Sequence, residues 1–300
     1  MALMAASTRG RRRAHWLGYL TLAPALVYVV GLIGVPVLLA ISYSVSNTSI
    51  NNLNGKFVGL QNFEQLLSDP TFLQSLRNTM IYGGLSTILT AIFGTLMAFV
   101  LAEHFRGRSL LRFFMLLPWT IPVALGILSW LWIFDSQYSV VNWVALRLHL
   151  MGQPEINWRG QPVPAMIAVL AANVWHNMPF GAIILLAGLT SIPQDIIEAA
   201  KVDGAGYLRR FHYVLVPMMA PILFIGLIFN MVFNFTDLTV VYLLTSGGPA
   251  NSTQVLSTYA FEVGIASGDL AKGAAITLFL LPLLLVVTIL LLRQLKRMEV

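Results

Sequence analysis

Cysteine is absent from this 300-residue chain, so no disulfide and no thiolate metal site can form. Charge is nearly as scarce: Asp, Glu, Lys and Arg make up 10% of the residues, against about 25% in a soluble domain. That leaves too little polar side chain to cover a water-facing globule of this size. No Gly-x4-Gly-Lys-Ser/Thr loop occurs, which excludes nucleotide hydrolysis by that device. No His-Glu-x-x-His pair occurs either. His15, His104, His149, His176 and His212 lie far apart, as single interfacial or hydrogen-bonding residues do. With no acid–base or metal constellation and no internal repeat, no enzyme activity and no resident cofactor are expected.

What fills the chain is hydrocarbon, at 57% of residues. Stretches free of Asp, Glu, Lys and Arg cover 14–55, 78–102, 113–134, 160–194, 211–236 and 273–292. About 20 apolar residues cross a bilayer. Trimming for turn residues predicts six spans near 17–42, 79–102, 112–134, 164–190, 217–244 and 273–292. The fifth must run through Asp237 to reach membrane length. The fold class is therefore all-α integral membrane, with six transmembrane helices. Arg9, Arg11, Arg12 and Arg13 precede an apolar stretch, as in a signal peptide. The uncharged run that follows is far longer than the roughly 7–15-residue core of a cleavable signal. It reads as a retained span behind a 1–16 tail.

The net charge of +6 follows the membrane rather than a nucleic acid. Thirteen of the 18 basic residues fall on the side of the two termini, leaving Lys56, Arg77, Arg147, Arg159 and Lys272 on the other. The excess of Lys and Arg puts both termini in the cytoplasm. The outer segments, 43–78, 135–163 and 245–272, then read as long and irregular. The first contains a short amphipathic stretch, Phe63 to Leu76, broken at Asp69-Pro70. Such loops suit a soluble partner or serve as simple connections.

The cytoplasmic loop between the fourth and fifth spans is the polar exception. Ser191 can cap a helix, Pro193 suits its first turn, and Gly204 is a natural stop. Two short helices within 191–216 are predicted, with Pro217 starting the fifth span. On physics alone this is either an interfacial anchor or a docking element. The run Glu198-Ala199-Ala200-Lys201-Val202-Asp203-Gly204, followed by Val214, Val216 and Pro217, resembles the Glu-Ala-Ala signature of permease subunits of binding-protein-dependent ABC importers. Gly59 to Phe63, Leu117 to Pro122 and Leu243 to Pro249 extend the resemblance to the maltose-transporter permease family over nearly the whole chain.

The resemblance implies a type I importer core at 79–292, followed by a 293–300 tail. It implies that Glu198, Ala199, Ala200, Asp203, Gly204 and Pro217 form the coupling segment seated on an ATPase dimer that binds the ATP. It further implies a second permease subunit, an extracytoplasmic sugar-binding protein and a lipid membrane as partners.

Two spans carry polar residues that hydrocarbon disfavours. Asn230, Asn234 and Asp237 fall at i, i+4 and i+7, on one helical face bordered by Phe233. Asn173, His176 and Asn177 form a second face, followed by Pro179 and Phe180. These read as a hydrated solute cavity or as interhelical hydrogen bonding. The resemblance places sugar-contacting positions at Asn230, Phe233, Asn234 and Asp237, and at His176, Asn177 and Phe180. A carboxylate without Lys or Arg disfavours an anionic solute, so the expected cargo is a neutral di- or oligosaccharide or a glycosyl-polyol. A permease for glycerol phosphate or another small solute, and an ion-coupled carrier using Asp237 and His176, are the alternatives.

Overall fold

The computed structural model describes residues 21–150 and 155–298. The N-terminal tail with its four arginines, the start of the first predicted span and the last two residues lie outside the described residues. Among the described residues, five helices are long and apolar enough to cross a membrane: α1 (Thr21–Ser44), α3 (Pro70–Ala102), α7 (Pro162–Thr190), α9 (Phe211–Thr236) and α12, which spans Leu270–Lys296 in its membrane-length part. A bent pair, α4 (Arg108–Thr120) and α5 (Val123–Ile133), makes a sixth if taken as one span. Shorter helices are α2 (Gln61–Leu67), α6 (Val140–Arg147), α8 (Gln194–Val202), α10 (Thr239–Thr245) and α11 (Leu256–Phe261).

Local chemistry sets the helix starts. Asp69 caps α3, its carboxylate accepting from the Thr71 amide at 2.9 Å, and Pro70 occupies the first turn. The amphipathic stretch is therefore split: α2 ends before Asp69, and the remainder joins the second span, which starts at Pro70 rather than near 79. Along α3, the hydroxyls of Ser75, Thr79, Thr87 and Thr95 each donate to the carbonyl one turn back, at 2.6–2.8 Å. That return bond satisfies these four hydroxyls, whereas Ser86 and Thr90 of the same helix are buried without a partner among the described residues.

Several expectations change. The third span, predicted as one helix over 112–134, is broken by 99° between α4 and α5. The cause is the Pro118-x-x-x-Pro122 spacing: Ile121, directly before a proline, is forced into an extended conformation (ψ 134°). The fifth span does not run through Asp237. The helix stops at Thr236, and Asp237 is extended with ψ 123°. Its length is recovered at the other end, because the helical turn Tyr207–Arg210 runs through a π-helical turn (Phe211–Leu215) directly into it. Pro217 thus sits inside a continuing helix rather than at its start. The second loop helix is the N-terminal end of α9, not a separate element. At the preceding boundary, Ser191 ends α7 and Pro193 takes the capping position of α8.

The core is a three-helix junction. Gly94 of α3 approaches the α7 backbone so closely that an added Cβ would lie 3.2 Å from the Ala182 amide nitrogen. Small residues at such contacts let membrane helices pack through their backbones. α9 lies against both, with the Phe235 ring filling the space that Gly83 leaves. α1 packs chiefly on α12 and is otherwise exposed along its length.

The connecting segments are more ordered than their composition predicts. Asn62 donates to the Ser44 and Ser46 carbonyls at 2.8 and 2.7 Å. Asn142 donates to the Ile156 carbonyl and accepts from the Trp158 indole at 2.7 Å. Asn78 holds the 245–258 segment by donating to the Asn251 and Gln254 carbonyls, each at 3.0 Å. Tyr259 donates to the Asp69 carboxylate; burial, helped by that carboxylate, raises its phenol above the ordinary range.

Candidate functional site

The polar residues of α7 and α9 meet at the junction with α3. Asn177 donates to the Asn173 side-chain oxygen at 2.5 Å, Asn173 to Asn234 at 2.8 Å, and Asn234 to Asn230 at 2.6 Å. Asn234 also donates to the Thr87 hydroxyl at 3.2 Å, reaching α3. Asn173, Asn230 and Asn234 are buried, so this ladder ties three helices together with its amides paired to one another. Each such bond in a membrane contributes about 0.6 kcal/mol on average.

Asp237 is held just beyond the end of α9. Its carboxylate accepts from the Tyr82 hydroxyl at 2.7 Å and from the amides of Thr239 and Val240 at 3.0 and 3.3 Å. It therefore caps α10, where a carboxylate meets the unpaired amides of a helix start. Its backbone carbonyl accepts from Ser257 at 2.6 Å. The extended turn that the sequence does not advertise is the turn this cap stabilises.

The remaining predicted contacts face outward. Phe233 is 53% exposed, and Phe180, His176 and Asn177 are half-buried. Phe180 stacks on Trp119 with ring centroids 5.2 Å apart and meets Phe233 edge-on at 5.9 Å. Trp119, 46% exposed, joins this face from α4 and is absent from the sequence-based set. Its place follows from the packing of α4 against α7, which periodicity does not foretell. His176 lies beside the Pro118 carbonyl and within electrostatic reach of Asp237. The predicted residues thus divide into an accessible aromatic–amide face (His176, Asn177, Phe180, Phe233) and a support behind it, in which Asn230 and Asn234 are buried and Asp237 is half-buried. Among the described residues, no cluster of His, Asp and Glu is arranged to hold a metal ion.

The loop residues take a separate place. Glu198 and Ala199 lie exposed on α8 with Ala200 half-buried, and Val202 at its end is 87% exposed. Ile197 packs inward beside Leu189 and Ile192. Gly204 adopts the left-handed conformation (φ 76°) that reverses the chain after α8.

Comparison with known proteins assigns the chain. Residues 90–300 match the family described as binding-protein-dependent transport system inner membrane component. The trehalose/maltose transport system permease protein MalF of Thermococcus litoralis is 34% identical over 273 residues, covering 91% of each chain. The sn-glycerol-3-phosphate transport system permease protein UgpA of Pectobacterium atrosepticum is 32% identical over 301 residues, covering 97% of this chain and 98% of its own. The sulfoquinovosyl glycerol transport system permease protein SmoG of Agrobacterium fabrum is 33% identical, covering 93% and 90%. The fold matches a chain of a bacterial ABC transporter involved in alginate import, with a TM-score of 0.81 at 20% identity over 97% of this chain and 99% of that one. The chain belongs to the inner membrane component family of binding-protein-dependent transport systems; it is a transport permease and not an enzyme.

Proposed function

We propose that this permease forms half of the translocation pathway of an ATP-driven sugar importer and that its cargo is a neutral di- or oligosaccharide or a glycosyl-polyol. The observation that carries this reading is the aromatic run Trp119–Phe180–Phe233, flanked by Asn177 and His176. Aromatic faces pack against the C–H faces of a sugar ring, and amide and imidazole groups pair with its hydroxyls. Asn230, Asn234 and Asp237 back this surface and fix the angle at which α9 presents Phe233. One carboxylate, Asp237, stands behind the face and no Lys or Arg lies on it, which favours an uncharged cargo. The naming of a relative for trehalose and maltose agrees.

In this reading the Glu198–Gly204 elbow docks on an ATPase dimer, which binds the ATP. Glu198, Ala199, Ala200 and Asp203 form its contact surface, and Val202 is the exposed apolar tip. A second permease subunit covers the aromatic face, and an extracytoplasmic sugar-binding protein meets the segments 43–78 and 245–272. Both termini lie in the cytoplasm of a prokaryotic inner membrane. ATP binding and hydrolysis bias the assembly between outward- and inward-open states by differential affinity.

A phosphorylated polyol is the second reading, favoured by the names of the glycerol-phosphate relatives and by His176, the one side chain of the face able to become cationic. Uptake in cells lacking other importers separates the two. Labelled trehalose or maltose accumulates under the first reading and sn-glycerol 3-phosphate under the second. Loss of sugar uptake in both Phe180→Ala and Phe233→Ala supports the site; unchanged uptake in both removes it.

A further inference from the structure

A groove of about 770 Å³ runs between α3 and α7, lined by none of the residues assigned to the translocation face. Arg77 and Ser252 stand at its polar end. Arg77 is exposed and has neither an ion pair nor a hydrogen bond among the described residues. The Ser252 hydroxyl is buried and unpartnered. Below them the walls are hydrocarbon: Ile81 and Leu85 from α3, Met166 and Ile167 from α7. Arg77 and Leu85 are two turns apart, about 12 Å along the axis.

A free guanidinium above a strip of branched hydrocarbon, with a spare hydroxyl beside it, is complementary to a phosphodiester carrying an acyl chain. A guanidinium forks onto phosphate oxygens, and a hydroxyl adds a further donor. A carbohydrate in this groove would leave its hydroxyls unpaired against Leu85 and Ile167, at the cost that attends any unmade buried hydrogen bond. We infer that the groove holds one anionic phospholipid, with its phosphate on Arg77 and Ser252 and one acyl chain between Ile81–Leu85 and Met166–Ile167. Its assignment to the outer leaflet rests on the orientation proposed above; the binding itself does not. An inverted orientation moves the lipid to the other leaflet and leaves the headgroup preference intact, so the two failures are distinguishable.

The test uses the full chain with its co-purifying subunits, extracted from bilayers of equal phosphatidylglycerol and phosphatidylcholine and weighed by native mass spectrometry. The expected result is one retained lipid at this groove with phosphatidylglycerol favoured about fivefold, the effect of one basic side chain at a membrane surface. Arg77→Gln abolishes the preference, and Met166→Trp, which fills the groove, removes the retained lipid. Equal retention of both lipids by the unsubstituted protein, or an unchanged preference in Arg77→Gln, overturns the inference. Because the chain has no cysteine, Ile167→Cys supplies a single thiol as an independent check. Labelling by a membrane-partitioning maleimide supports the lipid site; efficient cross-linking to another subunit overturns it.

Discussion

Tyr82 and Asp237, 155 residues apart in sequence, share a hydrogen bond of 2.7 Å that joins the middle of α3 to the end of α9. The same carboxylate caps α10 through the amides of Thr239 and Val240. A single acidic side chain therefore terminates one helix, starts the next and fastens both to a third. Tyr82→Phe is expected to lower stability by about 1–3 kcal/mol, the cost of removing one partner from a buried pair. The check is a melting curve of the purified protein in detergent. Asp237→Asn keeps an acceptor for Tyr82 and for the cap, so it should transport at close to the unsubstituted rate, whereas Asp237→Leu should not. Complete loss of uptake in Asp237→Asn would favour proton coupling through this residue.

The asparagine ladder gives a second test. Asn173→Leu and Asn234→Leu each break the same 2.8 Å bond. A double-mutant cycle on unfolding should return a coupling of about 0.6 kcal/mol, and zero coupling would mean the bond is not formed in the membrane.

Gly83 faces the Phe235 ring, and a Cβ there would stand 2.6 Å from a ring carbon. Gly83→Ala should therefore cost about 1–3 kcal/mol through overpacking. Phe235→Leu in the same chain should recover part of that loss, measured as melting temperature.

Trp119→Ala removes the ring that stacks on Phe180. Uptake should fall mainly through a raised half-saturating concentration of the sugar, by about tenfold for a loss of about 1.4 kcal/mol of stacking. Trp119→Phe should restore most of it. An unchanged uptake curve in Trp119→Ala would exclude this ring from the pathway.

At the elbow, Gly204→Leu forces a branched side chain into a left-handed turn (φ 76°), at a cost of about 1–3 kcal/mol. Val202→Asp places a charge on the exposed apolar tip without touching the fold. Both should uncouple nucleotide hydrolysis from transport or reduce the amount of co-purified ATPase, and Val202→Asp should leave the melting temperature unchanged. Normal assembly and transport by both variants would end the docking role.

The helical, membrane-spanning character was legible because charge-free runs of membrane length leave a polypeptide few alternatives. The Asp69-Pro70 boundary was legible as well, since a capping carboxylate followed by proline is a local signal. The break at Pro118–Pro122 was not, because both residues sit in a run whose hydropathy looks like one span. Nor was the end of α9 at Thr236: Asp237 is stabilised there by Tyr82, and that partner is visible only in three dimensions. For the site, the i, i+4 spacing placed Asn230 and Asn234 on one face of α9, where they hydrogen-bond to each other, but Asp237, expected at i+7 of the same helix, lies beyond its end. Which of them meets water depends on how close α3 comes, and that is set by Gly83 and Gly94, whose role no periodicity discloses.

The merger of Tyr207–Arg210 with α9 makes a rod of about 45 Å, from the elbow to the rim of the aromatic face. Two features interrupt its regularity, the π-helical turn at Phe211–Leu215 and Pro221, which removes a backbone hydrogen bond inside the helix. If the elbow docks as proposed, a thrust delivered near Gly204 travels along this rod toward Phe233 and shifts it against Phe180. The wider turn at Phe211–Leu215 is a place where twist can be taken up along its length. Stiffening that turn should change how far the rod rotates while leaving how far it travels untouched.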